Sequence, residues 1–243
     1  MNTDSYKGLY SLVLDGQLST VPIKEAYNAL KDTLQARHVA TVDDDGVLNI
    51  HITGLIGDHG PFVEPDQQYT AANLRDDLAV DANAPVAMYI DSPGGFLFTG
   101  VALYSQIQRR AATTPVETFI DGALASAATL PAIAGNRITA SNDAVAVLIH
   151  RGWGITIGNA IDLRKRADQM EATDRSLAAL YAKFTGGTTE DMLAVMSEDR
   201  LLTANEAKEL NLVSAIRGEK SEPNNAMDLD IELAWHETQA LLS

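Results

Sequence analysis

Cysteine is absent from this chain of 243 residues. That absence removes thiol nucleophiles, cysteine-bearing zinc sites and disulfide frameworks together. Zinc held by histidine alone is not expected either, since His38, His51, His59, His150 and His236 are scattered, with no His-Glu-x-x-His spacing. Long apolar runs are also missing. No stretch approaches the ~18 residues of a membrane span, and the opening MNTDSYKGLYSLVLDGQLSTVPIKE mixes acids and polar groups into every apolar segment. A soluble, cytoplasmic protein without a standard signal peptide is the expectation. Basic charge is scarce: 18 Lys and Arg stand against 33 Asp and Glu, a net charge of -15. Such a field repels phosphate backbones and anionic lipid, so neither a nucleic-acid nor a membrane partner is expected. The P-loop pattern G-x-x-x-x-G-K-[S/T] is missing too, so any ATP-driven step would belong to another polypeptide.

What is present is enough chain to bury roughly three-quarters of its unfolded surface. After a strand-like SLVLDG, residues 22–36 carry Ile23, Ala26, Tyr27, Leu30 and Leu34 at helical spacing. Asp43, Asp44, Asp45 and Gly46 read as a turn. Short apolar strands then alternate with amphipathic helices, the signature of crossover βα units in an α/β fold. Strands are expected at 47–53, 86–90, 116–120 and 145–149, with shorter pieces near 137–140 and 212–216. Helices are expected near 70–81, 97–110, 124–134, 158–184, 188–197 and 203–210, the last opened by a Thr203/Glu206 capping box. The many charges between Asn159 and Phe184 imply a helix lined by solvent or by a partner. Beyond Arg217 the polar GEKSEPNN reads as a linker, followed by the acidic, amphipathic AMDLDIELAWHETQALLS.

Four stretches carry chemistry. In GALASAATL one serine, Ser126, sits among side chains trimmed almost entirely to methyl groups or hydrogen. Upstream, the strand MYI runs into Asp91-Ser92-Pro93-Gly94-Gly95, where two glycines permit close backbone approach; the Gly95 N–H could face a ligand there, or the stretch could be a plain tight turn. Downstream, His150 ends the strand VAVLI, at the carboxyl end where open α/β sheets build their sites. Asp199, ahead of a helix, supplies a carboxylate that could orient an imidazole or merely cap a helix. Together Ser126, His150 and Asp199 offer a nucleophile, a base and an orienting acid, although nothing in their spacing demonstrates contact.

The run from Asn49 to Ile216 resembles the Clp protease proteolytic-subunit family of serine peptidases, in YIDSPGG, DGALASAATLPAIAG, LIHRGWG and EDRLLTANEAKELNLVSAI, in that order. The resemblance implies a ClpP/crotonase-like α/β fold of repeated ββα units with a protruding handle helix. It divides the chain into an N-terminal extension (1–45), a peptidase domain (46–217) and a linker with a C-terminal tail (218–243). It makes Ser126 the nucleophile, His150 the general base, Asp199 the orienting acid, and the N–H groups of Gly95 and Ala127 an oxyanion hole. Peptide substrate would pair along Gly94, Phe96 and Leu97, with no cofactor and no metal. The implied assembly is a homo-oligomeric ring, a heptamer or a double ring, served by an ATPase unfoldase or acting on capsid and scaffold proteins. GWGITIGNAIDLRKRADQME and YAKFTG look closest to the branch of tailed phages and prophages that matures heads, which would place the protein in the bacterial host cytoplasm.

Three departures stand out. Gly152 replaces a proline after the histidine and is expected to loosen the loop. Glu198 replaces an arginine used between rings. Ala127 replaces a methionine beside the nucleophile and widens the pocket there. Other readings of the same fold are an acyl-CoA hydratase or isomerase, which uses glutamates instead, and a catalytically silent structural ring. Relatives that pair serine with lysine find no matching lysine here.

Overall fold

The computed structural model describes residues 37–57, 68–154 and 156–218. The strand-like SLVLDG, the helix expected at 22–36 and the C-terminal tail lie outside them. Among the described residues nine strands form one sheet: β1 (Arg37–Val42), β2 (Leu48–Ile56), β3 (Gln68–Tyr69), β4 (Val86–Gly95), β5 (Val116–Ala125), β6 (Arg137–Ala140), β7 (Ala146–Leu148), β8 (Leu202–Thr203) and β9 (Ala215–Ile216). The helices are α1 (Ala71–Leu78), α2 (Leu97–Ala111), α3 (Thr129–Ile133), α4 (Ala160–Thr185), α5 (Thr189–Glu198) and α6 (Ala204–Glu209). This is a mixed α/β architecture, with a largely parallel sheet and helical crossovers. Among the described residues no helix is long and apolar enough to cross a membrane.

The sheet runs β1-β2-β4-β5-β6-β9, with β3 beside β2, and β7 between β5 and β8. From β2 to β9 the neighbours on this path are parallel, so helical crossovers must carry the chain back each time. In β2 the alternation of Leu48, Ile50 and Ile52 with Asn49, His51 and Thr53 turns the aliphatic set inward. Ile50, Ile52, Met88, Ile90 and Ile120 are fully buried, each contributing about 1.5–3 kcal/mol on transfer from water. The opposite face carries a row of stacked rings, His51 to Tyr89 at 4.7 Å and Tyr89 to Phe119 at 5.1 Å between centroids.

Two boundaries depart from the sequence pattern, and both matter for the site. Strand β4 does not stop at Ile90 but continues through Ser92-Pro93-Gly94-Gly95, because a register shift between Thr53 and Leu55 lets Gly94 and Gly95 pair with Leu55 and Ile56. Strand β5 likewise runs on to Ala125, so the helix expected from 124 is a short 3₁₀ turn, Ser126–Ala128, leading into α3. The reason is a switch of partner: the first half of β5 pairs β6, and its last residues, Ala123 to Ala125, pair β7. Strand β1, which the sequence pattern did not reveal, pairs antiparallel with β2. The aspartate cluster is the expected turn: the Asp43 carboxylate accepts the N–H groups of Asp45 and Val47. Thr203 and Glu206 form the expected capping box on α6.

Candidate active site

Ser126 stands where β5 ends and the 3₁₀ turn begins, with φ of 55°, in the left-handed region. For a residue bearing a side chain this conformation costs on the order of 1–3 kcal/mol, and it persists only where the surroundings impose it. Here they do. Ser126 O accepts a 2.6 Å bond from Thr129 Oγ1, and that hydroxyl lies 2.6 Å from Tyr181 Oη on α4. Tyr181 is fully buried, which pushes its phenol up to about 12, so it stays protonated. The small residues around Ser126 are required by packing: a Cβ on Gly100 of α2 would meet Ala127 O at 2.7 Å.

The Ser92-Pro93-Gly94-Gly95 corner lies against this turn. Ser92 is buried; its hydroxyl donates to Gly54 O at 2.6 Å and accepts the Gly94 N–H at 3.1 Å, which fixes the corner on β2. Asp91 Oδ1 accepts the Ala123 N–H at 2.9 Å, tying the corner to β5. Gly94 has φ of 92°, and a Cβ there would stand 2.6 Å from Ser126 Cβ and 2.9 Å from Ala127 N. Only glycine lets the two segments come this close. Gly95 is exposed beside them. Phe96 donates its N–H to Ile56 O at 2.8 Å and accepts from Gly100 at 3.1 Å. Its backbone is thus committed, and its half-exposed ring is what it offers outward. Leu97, partly buried, opens α2.

His150, just past β7, reaches back to the turn: its Nε2 lies 2.8 Å from Ser126 Oγ. On the other side of the ring, Nδ1 lies 3.5 Å from Asp199 Oδ1. The three side chains named from the sequence therefore meet. The imidazole is largely enclosed, with 15 % of its side chain exposed, whereas the Asp199 side chain is 63 % exposed. Burial pulls the His150 imidazole below its ordinary value, and the carboxylates of Asp199 and Asp174 oppose that pull. Near neutral pH the ring is therefore uncharged and able to accept a proton. Asp199 closes α5 in a left-handed conformation, φ 47°, which turns the chain sharply and aims its carboxylate at the ring. Glu198 pairs with Arg200 at 2.8 Å, and Arg200 also reaches Glu206 at 2.8 Å.

Sequence reasoning missed Asp174. It lies on α4 within a charged stretch, yet it is 4 % exposed and accepts the Gly152 N–H at 2.8 Å. The signal was available: Asp174 continues the stripe of Ala178, Tyr181, Ala182 and Thr185, all buried, at helical spacing. Gly152, expected to loosen the loop, is thereby tied to the helix. The family model for Clp protease matches residues 70–220. That span holds the Gly94-Gly95 corner, Ser126, His150 and Asp199, and covers more than half of the 243 residues: the chain belongs to the Clp protease family.

Proposed function

We propose that the protein is a serine endopeptidase working through Ser126, His150 and Asp199, with residues 46–217 as the peptidase domain between a C-terminal tail and an N-terminal extension that adds β1 to the domain's sheet. The observation that carries this reading is the 2.8 Å contact between Ser126 Oγ and His150 Nε2 at a strained turn facing the Gly94-Gly95 corner. That contact favours a working peptidase over a silent ring of the same fold.

In the proposed reaction Ser126 Oγ attacks the scissile carbonyl carbon while His150 Nε2 takes its proton. The N–H groups of Gly95 and Ala127 receive the oxyanion, each donor contributing roughly 3 kcal/mol. Collapse of the tetrahedral species breaks the C–N bond, and His150 returns the proton to the departing amine. Water, deprotonated by the same imidazole, then hydrolyses the acyl-serine. Asp199 keeps the Nδ1 proton in place throughout. The peptide lies extended along Gly94 to Leu97, read chiefly through its backbone, with Phe96 and Leu97 lending side chains.

Clp proteases act on proteins and form oligomeric rings, and we assign this chain a homo-oligomeric ring, heptamer or double ring. The stretches GWGITIGNAIDLRKRADQME and YAKFTG support a place in the phage branch, cutting capsid or scaffold precursors in the host cytoplasm. A general proteolytic subunit fed by a separate ATPase unfoldase is the competing assignment. Hydrolysis of a fluorogenic peptide tests the chemistry: Ser126→Ala and His150→Ala are each expected to lose at least ~10³-fold in kcat/KM while remaining folded. Near-normal turnover by His150→Ala would show that the base is another residue.

A further inference from the structure

We propose that Asp174 is a positioning residue for the catalytic histidine: its carboxylate fastens the loop after His150 to the middle of α4 and, through Arg151, to the helix that Asp199 closes. The inference rests on the serine-peptidase reading and adds to it a residue that touches neither nucleophile nor substrate.

The bracket has four points. Asp174 Oδ1 accepts the Gly152 N–H at 2.8 Å. Asp174 Oδ2 lies 3.6 Å from Arg151 Nη1. Arg151 Nε donates to Ser197 Oγ on α5 at 2.8 Å, and the Arg151 N–H donates to Met196 O at 3.3 Å. Ser197 Oγ is anchored in turn by its bond to Leu193 O at 2.6 Å. The residue following the base is thus held by α4 and α5 together, and α5 ends at Asp199. A proline at 152 would have no N–H to give, so the glycine found there is what makes the Asp174 contact available.

Position on the helix gives the bracket its second feature. Residues 160–169 of α4 are exposed, and Asp174 is the first buried residue along it. Its carboxylate therefore sits where the projecting half meets the body, and a tilt of that half moves the anchor of the His150 loop. The direct orienter, Asp199, is largely in solvent and 3.5 Å from the ring. A second constraint on the imidazole has a clear use. The charged groups acting on His150 are Asp199 from the end of α5 and Asp174 from α4, and Arg151 on its own loop faces Asp174.

The test uses the full chain, a fluorogenic peptide and the rate of fluorophosphonate labelling as a function of pH. Asp174→Ala removes both the Gly152 acceptor and the charge, and is expected to lower kcat roughly 10- to 100-fold with little change in KM. Asp174→Asn keeps the acceptor and loses the charge. It is expected to recover most of kcat, with a labelling midpoint at lower pH than the wild type, because one of two carboxylates favouring the imidazolium is gone. A residue that merely stabilises the fold would lower the melting temperature and leave kcat and the midpoint where they were. Wild-type kcat and midpoint in folded Asp174→Ala would overturn the proposal. Should that variant fail to fold, wild-type kcat in Gly152→Pro, which removes the N–H that Asp174 accepts, would overturn it equally. Absence of labelling at Ser126 in the wild type defeats the peptidase reading, and this proposal with it.

Discussion

Replacing Gly94 with alanine puts one methyl group against the turn that holds Ser126, the proposed nucleophile. The added Cβ would lie 2.6 Å from both Ala125 O and Ser126 Cβ, about 0.8 Å short of the 3.4 Å at which ordinary contact begins. Two of its three nearest neighbours are backbone atoms, Ala125 O and Ala127 N, so no flexible side-chain end can swing aside. The corner is itself held on β2 by Ser92, which leaves the Ser126 turn to give way. A displacement near 1 Å at a reacting group costs on the order of 10²-fold in rate, and that is the expected loss in kcat for Gly94→Ala. The left-handed backbone adds its own cost of about 1–2 kcal/mol in stability. Gly186→Ala separates the two effects. Gly186 has φ of 76°, ends α4 and has nothing within 4 Å of the built Cβ. It should therefore show the stability loss with activity kept. The assays are thermal unfolding and the rate of peptide hydrolysis for both variants. Gly94→Ala that is folded and turns over at the wild-type rate would refute the claim that this corner sets the nucleophile.

The remaining expectations concern the base and its acid. Because burial draws the His150 imidazole below 6.5, the acid limb of kcat/KM should fall at lower pH than that value, activity being lost as the pH drops through the limb and the ring takes up its proton. An acid limb above 6.5 would contradict the assigned environment. Asp199→Asn should move the limb lower still, since the carboxylate favours the charged ring. With Asp199 mostly exposed and 3.5 Å away, its rate loss should be roughly 10²-fold, against ~10⁴-fold for a buried orienting carboxylate. Steady-state kinetics across pH on the two proteins decides both points.

The candidate trio was legible in the sequence chiefly through the blocks that resemble the Clp family, each member also sitting at a break in pattern. Ser126 interrupts a run of small residues, His150 ends an apolar strand and Asp199 precedes a capped helix. Strand cores were legible from pattern, inward aliphatic residues recurring every second position. What escaped was set by pairing across the sheet. The extension of β4 through Gly95 depends on the shift in β2, and that of β5 through Ala125 on its change of neighbour to β7. Neither is a property of the local segment. Strand β1 was hidden because RHVATV is short and finds its stability only beside β2. Asp174 was hidden by company: acids and bases surround it, and only its alignment with Ala178 and Tyr181 betrays a buried face.

The account stands on an activated alcohol at residue 126. Treating the purified full-length protein with a fluorophosphonate at neutral pH, then mapping the adduct by mass spectrometry, addresses this directly. A single modification on Ser126, absent in His150→Ala, is the predicted result. An unmodified protein, or an adduct elsewhere with Ser126 untouched, would contradict it.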